Sequence, residues 1–244
     1  MKTMIWAHRG ASAYAPENTM EAFILAQKMG ADGIELDIHL TRDGHIVVAH
    51  DETVDRCSNG RGYIIDKTLQ ELLELDFSKG MENYSYVRIP TLEQVLELVK
   101  TSGLYLNIEI KNGMILYEGI EEKTLNLVSK MGLEDKVIYS SFNHYSLTII
   151  KKLNPAAPVG ILYGEAMVDP YVYAKHLGVE AIHPYFKTLK VPGTINNCKK
   201  HGIKIHAWTV DERDDIRWLM DEGIDAVITN RPDLAVSVRN QIIR

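Results

Sequence analysis

Residues 33–39 read Gly33-Ile34-Glu35-Leu36-Asp37-Ile38-His39. Apolar and polar side chains alternate strictly, the period-two pattern of a β-strand. Ile34, Leu36 and Ile38 face one way, and Glu35, Asp37 and His39 face the other. Residues 104–111 repeat the device, with Leu106, Ile108 and Ile110 opposite Asn107, Glu109 and Lys111. The apolar faces suit the layer between a sheet and its covering helices. The carboxylates then point to the interior near the C-terminal ends of their strands, where barrel enzymes hold their active sites.

Outward from these two strands the chain keeps one rhythm. β-rich runs at 4–8, 33–40, 104–110, 136–140, 159–163, 181–183, 203–209 and 226–229 alternate with helix-patterned runs, and a last helical run over 232–243 completes eight units. Alternating strand and helix reads as a parallel sheet. Eight units in 244 residues read as a closed (β/α)8 TIM barrel, one domain over 1–244. An open doubly wound sheet fits less well, because no Gly-x-Gly-x-x-Gly follows the first strand. Asn18-Thr19-Met20-Glu21 predicts a capping box with Asn18 as the cap, and Thr91-Leu92-Glu93-Gln94 predicts another. One connection is out of proportion. Residues 51–90 far exceed the roughly 2–6 residues of an ordinary βα loop. They carry their own helix pattern (Leu69, Leu72, Leu73, Leu75) and a turn, Asn59-Gly60-Arg61-Gly62. This segment reads as a small insertion over one barrel rim, between the second strand and the second barrel helix.

Composition narrows the function. The chain is 45% hydrophobic and 25% charged, with a net charge of −6, which argues against broad nucleic-acid binding. Cys57 and Cys198 are the only cysteines, too few for a disulfide framework or a Cys-rich zinc site, and they point to a reducing, cytoplasmic setting. No apolar run of about 18 residues is present, and residues 1–7 are too short for a secretory leader.

The carboxylates carry the chemistry. Three of them, Glu35, Asp37 and Glu109, at matched depth on neighbouring strands repel one another unless a cation lies between. An all-oxygen set suits one hard divalent ion, Mg2+ or Ca2+. The competing reading is a polar barrel plug in which lysines and arginines pair with the acids, but Lys111 is the one obvious inward partner. The first strand ends in His8-Arg9-Gly10, and because Trp6 and His8 share a face, His8 emerges at the barrel mouth. A turn at Thr41-Arg42-Asp43-Gly44 and the run 46–49 bring His50 back to the same rim. Two imidazoles beside a metal and an arginine are the equipment for acid–base work on a phosphate ester. The other seven histidines read as packing or surface residues, with His183 and His206 the foremost exceptions.

His8-Arg9-Gly10, Pro16-Glu17-Asn18-Thr19, Glu35-Leu36-Asp37, Thr41-Arg42-Asp43-Gly44, His50-Asp51, Ile89-Pro90-Thr91-Leu92, Asn107-Ile108-Glu109-Ile110-Lys111, Trp208-Thr209-Val210 and Thr229-Asn230-Arg231-Pro232 stand in this order. In this the sequence resembles the glycerophosphodiester phosphodiesterases from residue 8 to about residue 233. Each piece alone is weak, and nine in register are specific. The resemblance implies a metal-dependent barrel that hydrolyses glycerophosphodiesters to sn-glycerol 3-phosphate and an alcohol. It places the catalytic histidines at His8 and His50, the metal carboxylates at Glu35, Asp37 and Glu109, and phosphate contacts at Arg9 and Lys111. Asp211 departs from the usual Asn, a change read here as affecting only a helix cap. Trp208, at the mouth of its strand, is placed to stack on glycerol carbons or to pack the rim.

Two rivals follow. A phospholipase-type phosphodiesterase acting on lipid would use Phe77, Met81, Tyr84 and Tyr86 of the insertion as a lipid edge, but the net charge of −6 speaks against stable membrane association. A non-catalytic glycerophosphate-binding barrel would have lost a histidine or a carboxylate, and none is lost. The partner implied is a small-molecule diester. The nucleophile stays open between water and the adjacent glycerol hydroxyl, as do the head group and the oligomeric state.

Overall fold

The computed structural model describes residues 2–242. Ile243, the last residue of the closing helix read from the sequence, lies outside them, as does Met1. Eight parallel strands form the barrel: β1 (Met4–His8), β2 (Gly33–Leu40), β4 (Tyr105–Ile110), β5 (Val137–Ser141), β6 (Val159–Tyr163), β7 (Ala181–Pro184), β8 (Lys204–Ala207) and β9 (Ala226–Thr229). β1 pairs with β2 on one side and β9 on the other, and the remaining strands pair in turn, so the sheet closes. That closure rules out the open sheet. The return run is β3 (Ile46–Val48), which pairs antiparallel with β2 and directs the chain back to the rim where β2 ends.

Helices follow the strands: α1 (Met20–Lys28), α3 (Leu92–Ser102), α4 (Ile120–Met131), α5 (His144–Leu153), α6 (Pro170–Leu177), α7 (Thr194–Lys200), α8 (Arg213–Asp221) and α9 (Pro232–Ile242). α3 shows how the sequence sets such a helix. Thr91 and Gln94 form the predicted capping box, Leu92, Val95, Leu96 and Val99 are buried, and Gly103 ends it at φ 74°, a conformation glycine adopts without a Cβ penalty. The outward strand faces, including Ile34, Leu36, Ile38, Leu106, Ile108 and Ile110, pack with the helices into the main core. A separate cluster of Trp6, Ile138, Ala181, Ala226 and Ile228 draws on alternate faces of four strands and fills the barrel interior.

One predicted cap is corrected. Thr19, not Asn18, caps α1, and its side chain accepts from the Ala22 N–H. Asn18 is turned inward instead, at φ 58°, and its Nδ2 donates to Asp37 at 2.8 Å. The buried carboxylate accepts from the amide NH2, and the amide oxygen that could have capped the helix accepts from the Asp37 N–H instead.

Residues 51–90 are more than a strap. Val54, Ile64, Leu72 and Phe77 form a buried cluster with Val47 of β3 and Ile89, and α2 (Leu69–Leu73) starts from a full capping box of Thr68 and Glu71. The insertion is therefore anchored to β3 by its own small core. Among the described residues, no helix is long and apolar enough to cross a membrane.

Leu72 is fully buried in that cluster. Leu72→Ala is expected to cost about 2–5 kcal/mol in denaturant unfolding, the usual range for a core leucine. A change under about 0.5 kcal/mol, the scale of surface substitutions, would show that the insertion has no load on its own core.

Candidate active site

Strand register sets the site. Glu35 lies beside Asn107, Asp37 beside Glu109, and His8 beside Glu35. Each of Glu35, Asp37 and Glu109 is buried, and each offers a carboxylate oxygen within 4.8 Å of the other two. Two cations and one amide hold the cluster. Lys111 Nζ is 3.0 Å from Glu109 and 3.8 Å from Asp37, Arg9 Nε is 3.6 Å from Asp37, and Asn18 donates to Asp37. The polar-plug reading is thus partly realised, since Arg9 joins Lys111 as a partner.

The compensation is incomplete. Burial, and then the charges of Asp37 and Glu109, push the Glu35 carboxyl well above the ordinary range. Burial and the neighbouring Asp37 raise Glu109 to about 7. Burial works against the charged form of Asp37 too, but Lys111 and Arg9 outweigh it and hold this carboxyl below the usual range. Asp37 Oδ1 is also buried without a hydrogen-bond partner. Oxygen-only donors, mutual repulsion and an orphaned buried oxygen together fit a hard divalent cation.

Arg9 reaches the cluster through an unusual backbone. It sits at φ 55°, so its own N–H donates to Glu35 at 2.9 Å while its side chain reaches Asp37. Gly10 follows at φ 81°, and a Cβ there would come within 2.6 Å of the Ala22 side chain. Packing against α1 therefore fixes the turn that aims Arg9.

Both histidines are held by Nδ1. His50 Nδ1–H donates to Asp51 at 2.6 Å, and its Nε2 accepts from Lys111 Nζ at 3.2 Å. His8 Nδ1 is 2.7 Å from Asn230 Oδ1. The polarity of that second bond is fixed from behind. Asp211 Oδ2 accepts from Asn230 Nδ2 at 2.6 Å, and Asp211 Oδ1 accepts from the Asn230 N–H and the Thr229 hydroxyl. An ionised carboxylate only accepts, so the Asn230 amide must turn its NH2 to Asp211 and its oxygen to His8. His8 therefore carries its proton on Nδ1 and leaves Nε2 free, 4.0 Å from Glu35. Burial, and then the charge of Arg9, lower the His8 pKa to about 4. Asp211 is accordingly not a helix cap, since Glu212 stands at the start of α8.

A cleft at the C-terminal mouth is lined by His8, Arg9, Glu35, His50, Glu109 and Trp208, together with Asn107 and Phe142. Trp208 Nε1 donates to the His183 carbonyl at 2.7 Å, and its ring meets Phe142 edge-on at 5.6 Å. It packs the rim and walls the cleft at once. His183 and His206 do not join the site. They are buried against each other, Nε2 to Nδ1 at 2.8 Å, and burial lowers both, His183 to about 3. Gly160 leaves the room that His183 fills, for a Cβ there would meet its Nε2 at 2.2 Å. His39 is likewise committed, to the Tyr117 hydroxyl and the His50 carbonyl.

Sequence reasoning missed Asn18, Asn230 and Asp211 as parts of this arrangement. The sequence matches the model of the glycerophosphoryl diester phosphodiesterase family over residues 8–234. The chain belongs to that family. A glycerophosphodiester phosphodiesterase of Caldanaerobacter subterraneus subsp. tengcongensis is 45% identical over 239 residues, covering 98% of this chain and 98% of that protein. A Bacillus subtilis glycerophosphodiester phosphodiesterase is 35% identical over 252 residues, covering 96% of this chain and 85% of that one. Among solved structures, an Oleispira antarctica phosphodiesterase in complex with the product sn-glycerol-3-phosphate superposes at a TM-score of 0.87 with 29% identity, covering 98% and 97% of the two chains. This protein is accordingly an enzyme of the glycerophosphodiester phosphodiesterase class, a phosphoric diester hydrolase on a TIM barrel.

The electrostatics yield a signed expectation for the metal-free protein. Glu109 has a folded pKa above its unfolded value, so it favours folding below about pH 4.5, and that contribution is lost as pH rises through about 7. Glu109→Gln removes one of the repelling charges. It should melt higher than the parent at pH 8 in EDTA, and the gap should close by pH 5. An unchanged melting temperature at both pH values would contradict the repulsion.

Proposed function

We propose that the chain is a single catalytic domain, with residues 51–90 part of it, that hydrolyses glycerophosphodiesters (deacylated phospholipids) to sn-glycerol 3-phosphate and an alcohol. Glu35, Asp37 and Glu109 hold one divalent cation, Mg2+ or Ca2+, and His8 and His50 move the protons. The observation that carries this reading is the shared geometry of the two imidazoles. Each is anchored at Nδ1, and both imidazoles line the cleft beside Glu35 and Glu109. The intact set of two imidazoles, three carboxylates and two basic side chains favours an enzyme over a binding-only barrel. Cys57 and Cys198 as free thiols suit a cytoplasmic setting.

The diester is an anion, and attack builds further charge on its non-bridging oxygens. A divalent cation on the carboxylates supplies positive charge against it. Arg9 adds a planar fork and Lys111 a point charge. The roles of the imidazoles follow from what stands behind them. His8 is backed by a neutral amide, whose pull toward an imidazolium is outweighed by burial and by Arg9. Its free Nε2 takes the proton from the nucleophile, either water itself or the adjacent glycerol hydroxyl, whose cyclic phosphate water then opens. His50 is backed by the Asp51 carboxylate, which fixes its ring at Nδ1 and places a negative charge behind it. It delivers a proton to the leaving alkoxide, which otherwise departs slowly because its pKa is near that of water. Trp208 and Phe142 lay an apolar wall against the glycerol carbons.

Glycerophosphocholine turnover should vanish in EDTA and return with Mg2+ or Ca2+, and full activity after exhaustive chelation would refute the metal assignment. His8→Ala and His50→Ala should each lose roughly 10²–10⁴-fold in kcat. A glycerophospho-p-nitrophenyl ester has a leaving group that departs without protonation. On it His50→Ala should recover most of its rate and His8→Ala should not. Recovery of both variants, or of neither, would overturn the division of roles.

A further inference from the structure

The insertion sends one charged side chain back to the site. Arg56 Nε donates to Asp51 Oδ2 at 2.7 Å and Nη2 to Asp51 Oδ1 at 3.0 Å. On its other edge Nη1 donates to Glu17 Oε2 at 2.8 Å and Nη2 to Glu17 Oε1 at 2.7 Å. One guanidinium thus grips two carboxylates with two bonds each. Both carboxylates have a second task. Asp51 Oδ1 accepts from His50 Nδ1, and Glu17 Oε1 accepts from Arg9 Nη1 at 3.0 Å. Hydrogen bonds link His50, Asp51, Arg56, Glu17 and Arg9 in series, and Arg9 Nε then lies 3.6 Å from Asp37 as an ion pair. Donor-only and acceptor-only groups alternate along the hydrogen-bonded part from Asp51 to Arg9, so no member there can turn without losing its neighbours.

We propose that Arg56 is a positioning residue for phosphodiester hydrolysis: from the insertion, its guanidinium ties the carboxylate behind His50 to the carboxylate behind Arg9 and so holds the proton donor and the phosphate-binding fork at a fixed spacing. This rests on the roles given above to His50 and Arg9. Exposure separates this role from a merely structural one. The Arg56 side chain is 48% exposed, and ion pairs so open to solvent add little to folding stability. Orientation is what a two-sided fork provides, and small misplacements of catalytic groups are costly in rate. Without Arg56, Asp51 is free to swing from His50, and Glu17 is left with Arg9 alone and draws that side chain from the cleft. Lysine cannot replace it, because a single ammonium offers a point charge rather than two parallel edges. The insertion on this account completes the site as well as overhanging it.

Arg56→Gln, Arg56→Lys and Arg56→Ala test the proposal in the metal-loaded full chain. On glycerophosphocholine kcat should fall between about 10- and 100-fold, the scale of a misplaced catalytic group. The melting temperature should move by less than about 2 °C, since exposed pairs carry little stability. On the p-nitrophenyl ester the kcat loss should shrink, because delivery of the proton no longer limits. The share that passes through Arg9 should remain as a raised KM. Guanidinium at tens of millimolar should restore part of the Arg56→Ala rate and none of the His50→Ala rate. Wild-type kinetics in Arg56→Gln, or an equal kcat loss on both substrates without guanidinium rescue, would overturn the proposal. A parent enzyme inactive on both substrates overturns the functional reading first, and Arg56 with it. A parent active on both whose His50→Ala variant is not recovered on the ester overturns only the donor role of His50. The Arg56 proposal is then decided by kcat on glycerophosphocholine and by guanidinium rescue.

Discussion

Three carboxylates buried within 4.8 Å of one another cannot all stay ionised without positive charge close by, and the site is built around that fact. Lys111 and Arg9 keep Asp37 ionised, while Glu35 and Glu109 are pushed toward their neutral forms. Strand register puts the acids at one height. The left-handed turn at Arg9 brings a second cation and a backbone N–H to them, and α1 holds that turn against Gly10. Asn18 leaves a helix end to serve the same cluster. A cation between the carboxylates would satisfy what the protein's own charges leave over.

A second constraint runs through the site, the one-way nature of its hydrogen bonds. Asp51 and Asp211 can only accept. Asp51 therefore takes the His50 Nδ1 proton directly, and Asp211 turns the Asn230 amide so that its oxygen takes the His8 Nδ1 proton. Both imidazoles are held at Nδ1, yet one is backed by a charge and the other by a dipole. The same surroundings then treat two like residues differently, which acid–base chemistry on a single ester requires.

The barrel was legible because its signal is period two against period 3.6, and both patterns survive without tertiary information. Even strand 33–40 matched to the residue. Of the site, the groups carried inward along strands or just past their ends could be found by alternation: Glu35, Asp37, Glu109, Lys111 and His8. Those that act from behind could not. Asn18 lies in a good capping sequence, and only the nearby Asp37 diverts it. Asp211 looked like a cap residue, and its task depends on Asn230, nineteen positions later in the chain. Arg56 sits in a polar turn of the insertion, with nothing local to tie it to Glu17 across 39 residues. His183, before Pro184 at a strand end, and His206, on the strand face of Trp208, looked as promising as His8, and the difference is depth, since they lie in the barrel interior against Trp6. Asp51 was the one orienting residue with a visible sign, its place directly after His50.

The central claim is that the cluster is incomplete without a divalent ion, and calorimetric titration of the metal-free protein with Ca2+ or Mg2+ at pH 7 tests it most directly. Run in two buffers of different ionisation enthalpy, it reports both the number of ions bound and the number of protons released. The account predicts one ion per chain with net proton release, because Glu109, raised to about 7, is part-protonated at that pH and the ion displaces its proton. It also predicts that binding is lost in Asp37→Asn. No binding heat, or binding unchanged in Asp37→Asn, would contradict it.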